Sequence, residues 1–412
     1  MKHPSLFPVV LTVFLDMLGF GIVIPVLGPL FVDPASPLFS PEVPYATRTL
    51  LLGVVMGLYP LAQFFGAPIL GALSDRFGRK WPLLISIAVN TLGYAMFAFG
   101  VGSGQFWLLA VSRVVAGLAG GNIAIAYSAI ADVSDARTKV HNFGLVGMAF
   151  AVGFVLGPFF GGSLADPSLV SWFTIATPFW FAGLLGLVNL MAVLAFFRET
   201  LRERVHNPAS LLTGVRNVRK AFTQPSLRSM FVVVFLLTFG FTCFTNFFQV
   251  FLIDRFQATP LQIGQVFAYV GLWIAFTQGA LARLVSARAS PSAVLRACSP
   301  LLAVALAGLI IPPTFGWLFL ILPVISVSEG LIVPNLTAMV SALVGARSQG
   351  EIMGISQSVQ ALAMALPPAV AGVLSGFDPR APLIAAAVVT LFGWGMLLRR
   401  SDAPIRDASH EG

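Results

Sequence analysis

Charge is what this chain has least of. Asp, Glu, Lys and Arg together supply 10% of its 412 residues, against about 25% in a typical soluble domain, so a water-soluble globular fold is excluded. Two cysteines, Cys243 and Cys298, fall in or beside apolar segments and form no disulfide framework. The four histidines, His3, His141, His206 and His410, lie near the ends or between apolar runs, and no Cys/His cluster offers a metal its ligands. No glycine-rich loop follows a strand to cradle a phosphate. An enzyme, a metal site and a cofactor are therefore not expected. The net charge of +8 does not point to nucleic acid, because the basic residues stand in short segments and build no basic domain.

What the chain has instead is apolar surface, 57% hydrophobic residues with 37 phenylalanines among them. Windows of about 20 apolar residues bounded by charge or turn formers pick out twelve candidate membrane helices. They lie at 6–30, 50–70, 81–100, 105–130, 143–165, 171–197, 230–253, 261–282, 293–312, 315–343, 352–375 and 381–398. The first is too long for a signal-peptide core and lacks a small-residue cleavage site, so it reads as a retained span. The tenth is overlong and is expected to tilt or end early.

An even number of spans puts both termini on one side. Taking alternate loops as inside collects Lys2, Arg76, Arg79, Lys80, Arg137, Lys139, the cations from Arg198 to Arg228, then Arg283, Arg288, Arg296, Arg347, Arg399, Arg400 and Arg406. The opposite loops hold Arg48, Arg255 and Arg380. By the positive-inside rule both termini are expected to be cytoplasmic.

The charged stretch around 198–228 divides the spans six and six. The expected organisation is a six-helix bundle over 1–198, a cytoplasmic linker over 199–228, and a second six-helix bundle with a short cytoplasmic tail over 229–412. Within the linker, the run from Asn207 to Phe222 reads either as a basic amphipathic helix on the inner membrane surface or as a solvated connection. The halves repeat weakly: a slide of about 210 residues sets Gly144, Pro158 and Gly162 on Gly354, Pro368 and Gly372, and Gly71-Ala-Leu falls near Gly279-Ala-Leu. Such a repeat is the pattern of parallel halves around a central site.

Several runs carry more than hydrophobicity. In the fifth span Gly153, Gly157 and Gly161 recur every fourth residue, which places them on one helix face open to backbone contact. Pro158 has no N–H for the Phe154 carbonyl, so a bend is expected there. Between the second and third spans, Gly71-Ala-Leu-Ser-Asp-Arg-Phe-Gly-Arg-Lys80 sets Asp75 among three cations and lets Gly78 make a tight turn. That loop either holds the cytoplasmic ends of the two halves together in one state or merely fixes topology.

Arg113 sits deep in the fourth span, where a guanidinium costs about 3 kcal/mol or more unless it finds a partner or water. Asp16 lies mid-span among Gly19, Gly21 and Pro25. Apolar surroundings favour the neutral form of a carboxyl, so Asp16 reads as a proton carrier or a structural hydrogen-bonder. Glu329, beside Ser326, Ser328 and Gly330, binds protons or a cationic group, or is bonded to its serines.

The spacing Gly144, eight residues, Gly153, three residues, Gly157-Pro158, two residues, Gly161-Gly162 resembles the antiporter signature of the drug/proton antiporter branch of the major facilitator superfamily. The run from Gly71 to Lys80 resembles that superfamily's loop signature, with Gly71, Leu73, Asp75, Arg76, Gly78, Arg79 and Lys80 matching. Arg113 with Gly117 resembles the fourth-helix signature, whose arginine is linked to proton transfer; a purely structural arginine bonded to backbone carbonyls is the alternative. LDMLGFGIVIP resembles the first-helix signature of tetracycline/proton antiporters and their relatives, with Asp16 at its acid. The chain departs from tetracycline exporters in having Gly93 where they carry an acid in the third helix, and its second loop copy has Arg283 where Asp75 would fall. No family acid corresponds to Glu329.

The resemblance implies an all-α integral membrane protein, twelve transmembrane helices in two pseudo-symmetric six-helix halves. It implies export of a small amphiphilic solute or drug in exchange for protons by alternating access, with a metabolite symporter or facilitated-diffusion carrier as the alternative. Asp16, Arg113 and Glu329 are assigned to proton coupling. Asp75, Arg76, Gly78, Arg79, Lys80, Gly144, Gly153, Gly157, Pro158, Gly161 and Gly162 are assigned to conformational gating. Cavity residues are expected at Gln63, Asn122 and Tyr127 in the first half, and at Asn246, Gln249, Tyr269, Gln278, Asn335, Gln357 and Gln360 in the second. The expected partners are a small-molecule substrate, protons and the lipid bilayer of a cell membrane (the inner membrane in a Gram-negative bacterium), with no nucleic acid and the chain a monomer.

Overall fold

Apolar runs of this length have no water to satisfy their backbone, so each must close its own hydrogen bonds. Every regular element among the described residues of the computed structural model is accordingly helical. The structure describes residues 5–34, 36–134, 138–201, 210, 212–345 and 348–399. Lys2, Arg137, Arg202, Arg204, Arg347, Arg400 and Arg406, used for the topology, and His3, His206 and His410 lie outside these residues, as does the side chain of Lys139.

The helices are α1 Leu6–Val32, α2 Tyr45–Phe77, α3 Lys80–Ser103, α4 Phe106–Leu118, α5 Asn122–Val133, α6 Lys139–Leu164, α7 Thr177–Phe196, α8 Thr213–Thr223, α9 Pro225–Phe256, α10 Pro260–Phe276, α11 Ala282–Ser286, α12 Pro291–Gly308, α13 Leu318–Ser341, α14 Gln349–Ala365, α15 Pro367–Phe377 and α16 Ala381–Leu398. Twelve spans among the described residues are long and apolar enough to cross a membrane. Eight are single helices, and four are composite. The fourth is α4 and α5, broken at Ala119-Gly120-Gly121; the eighth is α10 carried through a π turn at Thr277–Leu281 into α11.

In the tenth span the excess length becomes a 3-10 turn, Phe315–Trp317, ahead of α13. The eleventh breaks before Pro367-Pro368, whose rings cannot continue the ladder of α14. Its counterpart Pro158 is carried inside a continuous α6. α10 starts on a capping box, in which Thr259 and Gln262 exchange side-chain and backbone hydrogen bonds. The linker does contain a helix, α8, and residues 207–209 and 211 of the run expected lie outside the described residues.

Within the first half α1 packs most extensively on α6, and within the second α9 packs on α16. The Gly153–Gly161 face explains the first pairing. A Cβ on Gly153 would stand 2.5 Å from the Phe14 carbonyl oxygen, one on Gly157 2.5 Å from that of Leu18, and one on Gly161 would meet that of Ile22. The backbone contact foreseen is present, but its partner is α1 of the same half. Gly153, Gly157 and Gly161 are therefore not a contact between moving halves, which corrects their place among the gating residues. Gly157→Leu is expected to overpack the bundle by about 1–3 kcal/mol and lower the thermal unfolding midpoint. Gly147→Leu, where nothing lies within 4 Å of the added Cβ, should not, and equal midpoints for the two variants would overturn the account.

The core follows the same division. A small cluster that includes Leu6, Val13, Leu83, Ile125, Val146 and Phe197 fills the first half near the end where the termini lie. The main cluster runs from Leu27 and Leu52 into Val250, Val266 and Ala371, so the halves share apolar packing at the opposite end.

Candidate transport pathway

Where the halves meet, the same contact is made twice. Gly162 of α6 lies against the Pro260 carbonyl of α10, and Gly264 of α10 against the Pro158 carbonyl of α6, each glycine with its missing Cβ 3.1 Å from the other's Cα. Across the molecule Gly53 of α2 lies against the Pro368 carbonyl of α15, and a Cβ on Gly372 would come 2.6 Å from the Thr49 carbonyl oxygen. Gly57 adds the Ala365 carbonyl, 2.7 Å from its missing Cβ. Pro158 with Gly162 and Pro368 with Gly372 are the very residues that the internal repeat superimposes. Each pair supplies one side of a glycine-lined seal, which only residues without a Cβ allow.

All of these contacts lie at the end away from the termini. At the terminus side Gly71 of α2, Gly144 of α6, Gly279 of the π turn and Gly354 of α14 have nothing within 4 Å of an added Cβ. The close backbone contacts between the halves thus lie at the far end, while these terminus-side glycines have open space where a Cβ would stand. Gln249, expected to bind substrate, belongs to the seal: it is fully buried, and its Oε1 accepts the Gly28 N–H of α1 at 2.7 Å.

On the terminus side of this seal, the first half brings its polar groups together. Asn122, the first residue of α5, lies beside Asp16 on α1, and one Asp16 oxygen, Oδ2, is buried without a partner. Arg113 of α4 is 5% exposed; its guanidinium lies 4.6 Å from the Phe97 ring centre and 5.7 Å from that of Tyr94. Its Nε and Nη2 donate to nothing in the protein, so it is held by aromatic faces, not by the backbone carbonyls a purely structural arginine would use.

Asp16 and Arg113 form no ion pair; those among the described residues join Arg79 to Asp75 and Asp132, and Lys220 to Glu351. Tyr59 of α2 and Tyr94 of α3 lie within electrostatic reach of both Asp16 and Arg113. Gln63 Nε2 donates to the Gly120 carbonyl at 2.6 Å, tying α2 to the break between α4 and α5. Gly93 shows why an acid is missing from α3: its Cβ would lie 2.8 Å from that of Ala116.

Opposite in the pseudo-symmetry, Glu329 of α13 is 8% exposed and makes no hydrogen bond or ion pair among the described residues. The hydroxyls of Ser326 and Ser328 are buried and unpartnered too, so the serines do not hold this carboxylate. Next to it, Gly330 accepts the side chain of Thr277, where the π turn begins. Arg113 and Glu329 thus sit on the fourth span of their respective halves.

The remaining expected cavity residues divide. Asn246 and Asn335 donate to carbonyls one turn back on their own helices, and Gln360 to the Ser356 hydroxyl. Tyr269 donates to the Phe319 carbonyl at 3.2 Å. Gln278 and Gln357 are exposed. Tyr127, also exposed, stacks on Phe143. Only Gln63 and Asn122 join the Asp16 cluster. Tyr59 and Tyr94 went unread, although a chain with five tyrosines and so little charge marks any tyrosine inside a span as a polar group placed with purpose. Gly53 and Gly264 carried no such signal.

The Gly71–Lys80 loop is built tightly, within the first half and the first residues of the linker. Gly78 adopts φ +95°, and a Cβ there would meet the Glu199 carboxylate. That carboxylate accepts the N–H groups of Arg79 (2.8 Å), Lys80 (3.1 Å), Thr200 (2.9 Å) and Leu201 (3.0 Å). Arg79 reaches Asp75 and, at 3.0 Å, Asp132 at the end of α5. Arg76 lies over the Phe77 ring, 5.0 Å from its centre. Asp75, Arg79 and Lys80 therefore clamp α2 and α3 to α5 and the end of α7. In this conformation they do not reach the second half.

Partial burial by itself would raise the Glu199 carboxyl, but its four backbone donors hold it below the ordinary 4.5. A depressed carboxyl contributes stability above its unfolded value and loses it as pH falls through the folded one. Glu199→Gln is expected to unfold more easily than the wild type at neutral pH, with the difference shrinking as pH falls below the ordinary carboxylate range. Thermal unfolding across pH measures this, and a difference that persists in acid would remove the charge from the account.

The solved structure of the human organic anion transporter MFSD10 (TETRAN) superimposes with a TM-score of 0.71 at 26% identity, covering 96% of this chain and 99% of that one. Major facilitator superfamily domain-containing protein 10 of Mus musculus is 30% identical, over 88% of this chain and 85% of its own. The class C tetracycline resistance protein of Escherichia coli is 32% identical, over 83% and 82%. The model of the Major Facilitator Superfamily matches residues 9–368. With a family model matched across most of its length and twelve spans among the described residues, the chain belongs to the major facilitator superfamily and is a transporter, not an enzyme.

Proposed function

We propose that this transporter exports a small amphiphilic solute or drug in exchange for protons. It does so by exchanging the conformation seen here for one sealed at the terminus side. The observation that carries the reading is the Asp16 cluster: a carboxylate with one buried unpartnered oxygen, beside Asn122 and near an arginine with two free donors. A group of this kind binds a proton when apolar surroundings close around it and yields it when water returns. Similarity to tetracycline resistance proteins supports export. Residues 1–198 and 229–412 act as the two rocking bundles, joined by the linker 199–228, in a cell membrane with both termini cytoplasmic and the chain working as a monomer.

A charge moving down 100 mV supplies about 2.3 kcal/mol, enough for roughly a fiftyfold solute gradient. The free donors of Arg113 favour a second reading, in which the solute is an organic anion, as the name of the human relative suggests. Purified protein in liposomes with an internal pH indicator separates the modes. Antiport moves protons against the added solute, whereas co-directional flow would establish symport and no flow facilitated diffusion.

A further inference from the structure

Transport through the centre makes no use of the outer face of α8. Its inner face is accounted for. A Cβ on Gly214 would lie 2.8 Å from the Phe64 ring of α2, and Asn217 Nδ2 donates to the Ser358 hydroxyl of α14 at 3.0 Å. Ala221 is fully buried, and the Phe222 ring meets that of Phe235 on α9 edge to face. Phe64 and Ser358 lie within membrane spans. The helix therefore occupies the notch between the two halves, level with the emerging spans and not in the water beyond them.

What it turns outward is mixed. Leu212 and Val215 are 55% and 44% exposed, and Arg216 and Arg219 are exposed beside them, all at helical spacings that share one face. The Glu351 carboxylate of α14 is taken by Lys220, and neither arginine has an ion pair among the described residues. Guanidinium groups next to bare aliphatic side chains, at the height of the membrane interface, match a ligand with an anionic head and an apolar tail.

We propose that the outer face of α8 binds anionic phospholipid of the terminus-side leaflet, its phosphate between Arg216 and Arg219 and its acyl chains against Leu212 and Val215. A free phosphate would leave the aliphatic pair in water. Because the inner face touches α2 and α14, lipid that pins α8 also pins the notch where the halves adjoin.

The test titrates full-length protein in detergent with phosphatidylglycerol, phosphatidylcholine or inorganic phosphate and follows thermal unfolding. Phosphatidylglycerol alone should stabilise the wild type. At about one tenfold step per 1.4 kcal/mol and ~1 kcal/mol per interfacial cation, Arg216→Gln with Arg219→Gln should raise its half-saturating concentration roughly thirtyfold. Lys220→Gln, whose charge is already occupied, should respond like the wild type. An unchanged response in the double variant, an equal response to phosphatidylcholine or to inorganic phosphate, or an equal loss in Lys220→Gln would each overturn the proposal.

Discussion

Asp16→Asn is expected to abolish uphill transport driven by a pH gradient while leaving downhill counterflow in place. The amide keeps the shape of the carboxyl and its place beside Asn122, but it cannot carry the exchangeable proton. The gradient sustained by one coupled charge, about fiftyfold at 100 mV, should collapse to parity. The amide also sets an unpaired donor where Oδ2 is buried without a partner, at a cost of about 1–3 kcal/mol. Thermal unfolding must therefore accompany the flux measurement, so that a lost fold is not read as lost coupling. Accumulation at the wild-type level would take Asp16 out of the mechanism.

Gly264→Leu should push the molecule out of the conformation described here. Its added side chain would enter the space held by the Pro158 carbonyl and the Gly162 backbone, and overpacking of that kind typically costs about 1–3 kcal/mol. The cost falls on the sealed state alone, because the contact exists only while the far ends of α6 and α10 touch. The ratio of the two states should shift by roughly 5- to 150-fold. Gly53→Leu, at the matching contact of α2 with α15, should do the same. With Cys243 and Cys298 replaced, a cysteine introduced at the far end reports the change through its reactivity towards a membrane-impermeant thiol reagent. Gly157→Leu strains α1 against α6 within one half and should leave that reactivity alone. If Gly264→Leu leaves it unchanged as well, the glycine contacts do not set the state.

The amino-acid sequence by itself determined the membrane class, the number of spans, the six-and-six division and the superfamily, because hydrophobic length and the spacing of glycine, proline and charge are local quantities. It also marked Asp16 and Arg113, since a charge inside an apolar run stands out wherever the chain folds. Which helix the Gly153–Gly161 face meets was not local. One face of α6 rests on α1 and the next residue, Gly162, on α10, and both patterns look alike along the chain. Gln249 read as a polar lining residue until burial and the Gly28 N–H made it part of the seal. The loop from Gly71 to Lys80 announced a charge network, but that its partners are Asp132 and, at the start of the linker, Glu199, depended on the ends of α5 and α7 arriving beside it. Tertiary structure alone decided these matters, because contact between residues far apart in the chain depends on how helices cross, and crossing is settled by the packing of the whole.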